Sequence, residues 1–245
     1  MTNEVQLQRM TWPEIEAALA SGKRTAVIVA ASSEQHGPHL PEATDELIGE
    51  ALGIRLAQKL GDALVAPVIR PGCSDHHMAF PGTITITPQQ LMEVLDAYVA
   101  SLSKHGFQRF IVFSSHGGNF PVLAEWQRRG IPDNVHVVTD LDGFAGTMLK
   151  ALRPFGRNDT TIPHGDASET GEMLHVHPEL VKMDRAAKGF EGEIGLPALQ
   201  QSGLRAVTAN GVLGDPVGAT AEMGESVMNA LVDYLSQTVG RPATT

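Results

Sequence analysis

Apolar, β-branched runs of strand length alternate along this chain with longer segments of helical periodicity, and this restricts the fold more than any other feature. Strands joined by helix-length connections do not form hairpins. They pair in parallel, and their crossovers cover both faces of the sheet. The clearest strands begin at residues 25 (Thr-Ala-Val-Ile-Val-Ala) and 110 (Phe-Ile-Val-Phe), with another over 135–139. Residues 63–69 read as a strand whose Pro67 makes it an edge or ends it irregularly. Residues 84–87, alternating Ile with Thr, read as a short strand, and 205–214 as a short strand or hairpin.

The helices announce themselves by their ends. Thr11 precedes Trp-Pro-Glu-Ile, an N-cap with proline in the first turn, and Gly22 follows. Thr87-Pro-Gln-Gln is a capping box ahead of an apolar stripe that runs to Gly106. Further helices are expected over 45–60, 121–129, 143–153, 167–175 and 219–238, while 184–204 reads as a long loop or a short helix. With no internal repeat or linker, residues 1–245 form one α/β domain, an α/β/α sandwich with a mainly parallel central sheet.

Composition excludes several classes of function. The formal net charge of −10 disfavours nucleic acid and anionic membrane surfaces as partners. No apolar run approaches membrane-spanning length, and residues 1–6 lack a basic, then apolar, leader, so the chain is expected to be cytoplasmic. Cys73 is the single cysteine, too few for a disulfide or thiolate zinc cluster, and reads as a buried apolar residue rather than a nucleophile.

Chemistry collects where strands end. After the first comes Ser-Glu-Gln-His-Gly-Pro-His-Leu-Pro at 33–41, with Asp45 shortly beyond. Glu34 and His36, two apart, share a face of extended chain, and the Gly37-Pro38 turn returns Asp45 toward them. A loop over 71–83 carries Ser74, Asp75, His76 and His77 and closes in Phe-Pro-Gly-Thr. The strand at 110 runs into His116-Gly117-Gly118-Asn119, whose glycines leave backbone N–H groups accessible. Later come His164 and Glu169, the latter in the first turn of a helix. His175 and His177 do not face together on a helix and read as ordinary. Carboxylates mixed with imidazoles, and no thiolate, suit Zn²⁺, Mn²⁺ or Fe²⁺. Neither a dinucleotide fingerprint nor a phosphate loop is present.

Over residues 12–180 the chain resembles the creatininase family of metal-dependent amidohydrolases, through the 33–41 motif with Asp45, the 72–83 segment, His116-Gly117-Gly118-Asn119, and His164 with Glu169-Thr170. The resemblance implies two divalent metal ions per chain (Zn, Mn or Fe). Glu34, Asp45 and His116 would hold one, and His36, Asp45 and Glu169 the other. It implies hydrolysis of a C–N bond in a small, often cyclic amide, lactam or formamide, with a hydroxide shared by the ions as nucleophile. His164 and Glu169 would be catalytic, His164 by transferring a proton, and Ser74, His77, Gly117, Gly118 and Asn119 would contact substrate. A homohexamer is the implied assembly, and a small molecule the implied partner. The match is to a His-Gly-Gly-Asn branch: creatininase carries a glutamate where this chain has Gly118, and Glu169 takes its place. Pocket tryptophans of creatininase have no counterpart here, where Trp12 and Trp126 are the only two, so the substrate is expected to differ from creatinine. Alternatives on the same scaffold are a mononuclear hydrolase, including one cleaving C–C or peptide bonds, and a non-catalytic metal-binding sensor.

Overall fold

Four parallel strands, in the order β2-β1-β3-β4, carry the rest of the molecule in a computed structural model that describes residues 4–158 and 162–240. The outermost N-terminal residues of the leader argument, and part of the loop before Ile162, lie outside the described residues. The strands are β1 (Thr25–Ala30), β2 (Ala63–Val65), β3 (Arg109–Ser114) and β4 (Val135–Val137). Every residue of β1 and β3 is buried, which is why both read as continuous apolar runs. Thr25 pairs with Arg109 and Ala30 with Ser114, so the two strands end level.

The connections explain the layers. From β1 the chain crosses through α2 (Thr44–Leu60) to β2 on one side, then returns through α3 (Pro88–Lys104) to β3 on the other, and α4 (Phe120–Arg128) leads on to β4. Right-handed crossovers running in opposite directions put α2 on one face and α3 and α4 on the other. The α2 face is completed by α6 (Ala167–Val176) and α8 (Ala221–Thr238), with α5 (Leu141–Leu152) against α8. The result is the expected α/β fold. The strand order reverses direction between β1 and β3, and a crevice opens outside the carboxyl ends of strands at such a point.

Helix ends match their sequence signals. In α1 (Trp12–Ala20) Thr11 and Glu14 form a reciprocal cap, and at α3 Thr87 and Gln90 do the same. Gly61, with φ of 82°, ends α2. One expectation holds, the edge position and irregular end of the strand at 63–69, and two are corrected. The strand over 63–69 stops at Val65, because Pro67 has no N–H to give the ladder, although Ile69 rejoins β1 through an isolated bridge to Ala30. Residues 84–87 form no strand: Ile84 bridges Ser33 while Thr85 bridges Gly72, so their hydrogen bonds go to two different segments. Likewise 205–214 is neither strand nor hairpin, since Leu213 makes single bridges to His164 and Phe190. The undecided 184–204 stretch contains a helix, α7 (Leu196–Ser202).

Candidate metal centre

The crevice between β1 and β3 holds the charged residues, and each is fixed by local structure. Beyond β1, the Glu34 N–H donates to the Glu42 carbonyl at 3.0 Å. Gly37 takes φ of 74°, and a side chain there would collide with Val212 at 2.5 Å, so only glycine makes this turn. Asp45 sits in the first turn of α2, where the helix dipole favours a carboxylate. The Ser115 hydroxyl donates to the Asp45 carbonyl at 2.7 Å and ties that turn to the end of β3. Asp166 caps α6 by accepting from the Ser168 and Glu169 N–H groups at 3.0 and 3.2 Å. That cap sets Glu169, whose Oε2 accepts from the Gly165 N–H at 2.6 Å. His39 Nε2 lies 2.8 Å from the Thr170 hydroxyl and joins the β1 loop to α6.

These elements bring Glu34, His36, Asp45, His116, His164 and Glu169 together. Potential ligand atoms of Glu34, Asp45 and His116 lie within 4.8 Å of one another, as do those of His36, Asp45 and Glu169, and of Glu34, His36 and His164. Asp45 belongs to both of the first two groups. Its Oδ1 is 3.1 Å from His36 Nε2 and its Oδ2 3.4 Å from His116 Nδ1. Glu34 Oε1 is 3.1 Å from His116 Nδ1, and Glu169 Oε2 is 3.7 Å from His36 Nε2. Ligand atoms set tetrahedrally about 2.0 Å from a Zn²⁺ stand about 3.3 Å apart, so these separations suit a shared cation.

The polar bookkeeping points the same way. Glu34 Oε2 is buried and receives no hydrogen bond, while Glu34 Oε1 and Asp45 Oδ2 have only imidazole nitrogens near them, at 3.1–3.4 Å, a costly arrangement for two carboxylates unless cations satisfy them. Burial opposes charge on His36, but Asp45 and Glu169 outweigh it and raise its pKa from 6.5 to about 10. The same contest, with Glu34 as the main attractor, raises His116 well above its ordinary value. Glu34 is pushed the other way: burial disfavours its anion, yet His116 and His77 hold it well below the carboxylate range. Burial lifts Glu169 to about 8 against the pull of His36. His164 stays neutral, because burial and the nearby His36 depress it well below 6.5.

The residues expected to meet substrate divide. His77, Gly117 and Gly118 line a hollow of about 400 Å³, open mouth included, over the cluster, together with His164 and Glu169. Asn119 is corrected: it is 0 % exposed, and its amide serves backbone, accepting from the Cys73 N–H at 2.9 Å and donating to the Ala31 carbonyl at 3.1 Å. Ser74 is likewise buried away from the cavity, its hydroxyl hydrogen-bonded to Ser32 and 3.3 Å from His116 Nε2. It orients the imidazole from behind.

Several residues were given no role from the sequence. Gln35, between the two motif residues, contacts His77 Nδ1 at 3.2 Å and donates to the Gly211 carbonyl at 3.1 Å. Its own carbonyl lies 2.9 Å from His164 Nε2. The Gln35 side-chain Nε2 also lies 3.0 Å from that nitrogen; with the carbonyl as the partner that assigns the tautomer, His164 Nδ1 is left as an acceptor 3.9 Å from Glu34 Oε1. His76 also lines the cavity, and Leu196, Leu199, Leu204 and Leu213 form an apolar wall. No local pattern marks these leucines, because α7 and the turn after it approach the site only through tertiary packing.

The sequence model of the creatininase family, described as creatinine amidohydrolase, matches residues 8–239. The chain is 32 % identical over 238 residues to the mycofactocin precursor peptide peptidase of Mycobacterium tuberculosis H37Rv, covering 91 % of this chain and 87 % of that protein. With the creatinine amidohydrolase of Pseudomonas putida it shares 27 % identity over 254 residues, 98 % and 97 % of the two chains. A creatininase crystal structure superposes with a TM-score of 0.77 at 26 % identity, over 99 % of this chain and all of the other. Among the similar structures are a manganese creatininase and a mutant creatininase of the Zn–Zn type, at TM-scores of 0.73 and 0.74 and 27 % identity, each covering 94–95 % of this chain and 95 % of its own.

Proposed function

Because this chain belongs to the creatininase family of metal-dependent hydrolases, we propose that it hydrolyses an amide C–N bond with two divalent ions at the β1–β3 crevice. The observation that carries this reading is the pair of ligand groups that share Asp45. Glu34, Asp45 and His116 hold one ion, and His36, Asp45 and Glu169 the other. Zn²⁺, Mn²⁺ and Fe²⁺ all suit this donor set. When bound, such ions polarise a carbonyl and bring the pKa of water to about 7.

The chain's own groups supply the rest. Gly118 cannot contribute a ligand, since any Cβ there would meet the Cys73 carbonyl and His116 Nε2 at 2.4 Å, and Glu169 completes the second group instead. Neutral His164, held through Nε2 by the Gln35 carbonyl, takes up a proton at Nδ1 and delivers it to the leaving nitrogen. Gly117 and Gly118 border the cavity and offer backbone N–H donors to the developing oxyanion. His77 contacts substrate from the opposite wall. The leucine wall excludes water and receives an apolar part of the substrate.

A small cyclic amide, lactam or formamide is the substrate class proposed first. A peptide amide is the second, favoured by the 30–32 % identity to mycofactocin precursor peptide peptidases and by the leucine wall. The reading includes a homohexamer with no nucleic-acid or membrane partner, working in the cytoplasm. Among the described residues no helix is long and apolar enough to cross a membrane.

Metal content per chain by elemental analysis, paired with turnover on lactams, formamides, cyclic ureides and short peptides, tests the proposal. Two ions per chain and cleavage lost on chelation are the expected results. Full activity after exhaustive chelation refutes it, and a monomer by light scattering refutes the hexamer.

A further inference from the structure

The first turn of α6 serves the metal cluster, but its next turn carries a carboxyl that the hydrolytic site does not use. Glu172 lies three residues beyond Glu169, so both side chains leave the helix on one face. It is 0 % exposed, and neither of its oxygens receives a hydrogen bond. It borders a hollow of about 470 Å³, open mouth included, whose other walls include Ile48, Phe120, Phe144, Met148 and Leu231. Gly117, Pro163 and Glu169 border both this hollow and the cavity over the cluster, so a molecule seated at the cluster can extend into it. Arg55 does not neutralise Glu172 by a direct bond, because its guanidinium reaches Asn229 Oδ1 at 3.2 Å and His175 Nε2 at 2.6 Å.

A carboxyl withheld from water without a partner is costly, and the cost is relieved by anything that donates to it. We propose that this hollow is a second subsite, which takes an apolar arm of the substrate ending in an N–H donor, an amine or amide, held by Glu172. The substrate is then two-armed, with its scissile amide at the metal ligands and its apolar arm running along α6. Only the word substrate rests on the hydrolase reading. The subsite itself is built from α2, α4, α5, α6 and α8 and needs no metal.

Calorimetric titration of the chelated full-length protein with benzylamine, and with toluene as the stem lacking a donor, tests this directly. Benzylamine should saturate the wild type and bind Glu172→Leu about tenfold more weakly, as loss of one hydrogen bond to a charged group requires. Toluene should bind Glu172→Leu no more weakly than it binds the wild type. Burial and the nearby Glu169 and Asp166 raise the Glu172 carboxyl well above its ordinary pKa; Glu172→Gln keeps shape and an acceptor but cannot ionise to meet an ammonium, so it should weaken benzylamine about threefold and covers the case in which the leucine variant fails to fold. Equal benzylamine affinity in wild type and variants, or toluene binding the wild type more tightly than benzylamine, overturns the proposal. Because no metal is present, failure of the hydrolase reading shows separately, as absent turnover on the amide panel.

Discussion

Replacing Asn119 with alanine asks whether its amide serves the scaffold or the substrate. The side chain joins the end of β1 to the 71–73 segment: Oδ1 accepts from the Cys73 N–H at 2.9 Å, and Nδ2 donates to the Ala31 carbonyl at 3.1 Å. Each of these bonds is worth about 1 kcal/mol net, and stranding the buried Cys73 N–H adds roughly 1–3 kcal/mol. The total is about 3 kcal/mol or more. For a chain of 245 residues that lowers Tm by roughly 6–12 °C, which differential scanning calorimetry of wild type and Asn119→Ala at matched metal content resolves easily. Gly72 has no room to compensate, since a Cβ there would stand 2.4 Å from the Ala31 carbonyl and 2.9 Å from Asn119 itself. KM of the folded variant should change little, because the amide faces backbone and not the cavity. A loss below about 1 kcal/mol together with a large rise in KM would refute the scaffold assignment.

Glu34→Gln should remove one ligand group, so elemental analysis should show one ion fewer per chain and hydrolysis should fall by roughly a hundredfold or more. Gly224→Ala places a Cβ 2.0 Å from the Gly171 carbonyl at the crossing of α6 and α8, and chemical denaturation should show a loss of about 1–3 kcal/mol. In chelated protein, His36 with a folded pKa of about 10 and Glu169 with one of about 8 both hold protons that the unfolded chain has released. The His36 contribution is complete below pH 6.5 and is lost as pH rises through about 10, so Tm should fall between pH 6.5 and 10. Apparent metal affinity should run the opposite way and rise with pH over the same range, because the ligands must shed those protons to bind; competition with a chelator of known affinity measures it.

What the sequence disclosed was whatever local physics decides. The capping box at Thr87, the threonine and proline that open α1, and the apolar runs of β1 and β3 are each complete within a few residues. The candidate ligand residues stood out because carboxylates and imidazoles follow directly on buried strands or open helices. Residues 84–87 misled because alternation signals only that every second residue is sheltered. Here the shelter comes from two unrelated segments, Ser33 and Gly72, and not from one ladder. Asn119 was placed at the substrate by its neighbours in the motif, whereas its partners at Ala31 and Cys73 are distant in sequence. Gln35 depends on His77, Gly211 and His164, between 42 and 176 residues away. Glu172 was within reach, since spacing of three from Glu169 on a helix already assigns it to the same face. Its isolation from hydrogen-bonding partners is visible only once α5 and α8 are packed.

The contact between Gly171 and Gly224 ties the helix that carries Glu169 to one that comes much later in the chain. A Cβ on either glycine would fall within 2.8 Å of the other helix, so α6 is seated by close backbone approach to α8. All six residues of the candidate metal centre precede α8 in the chain, and Glu169 lies on the helix that packs against α8. A chain truncated before α8 would therefore keep every one of these residues while losing the surface against which α6 is seated.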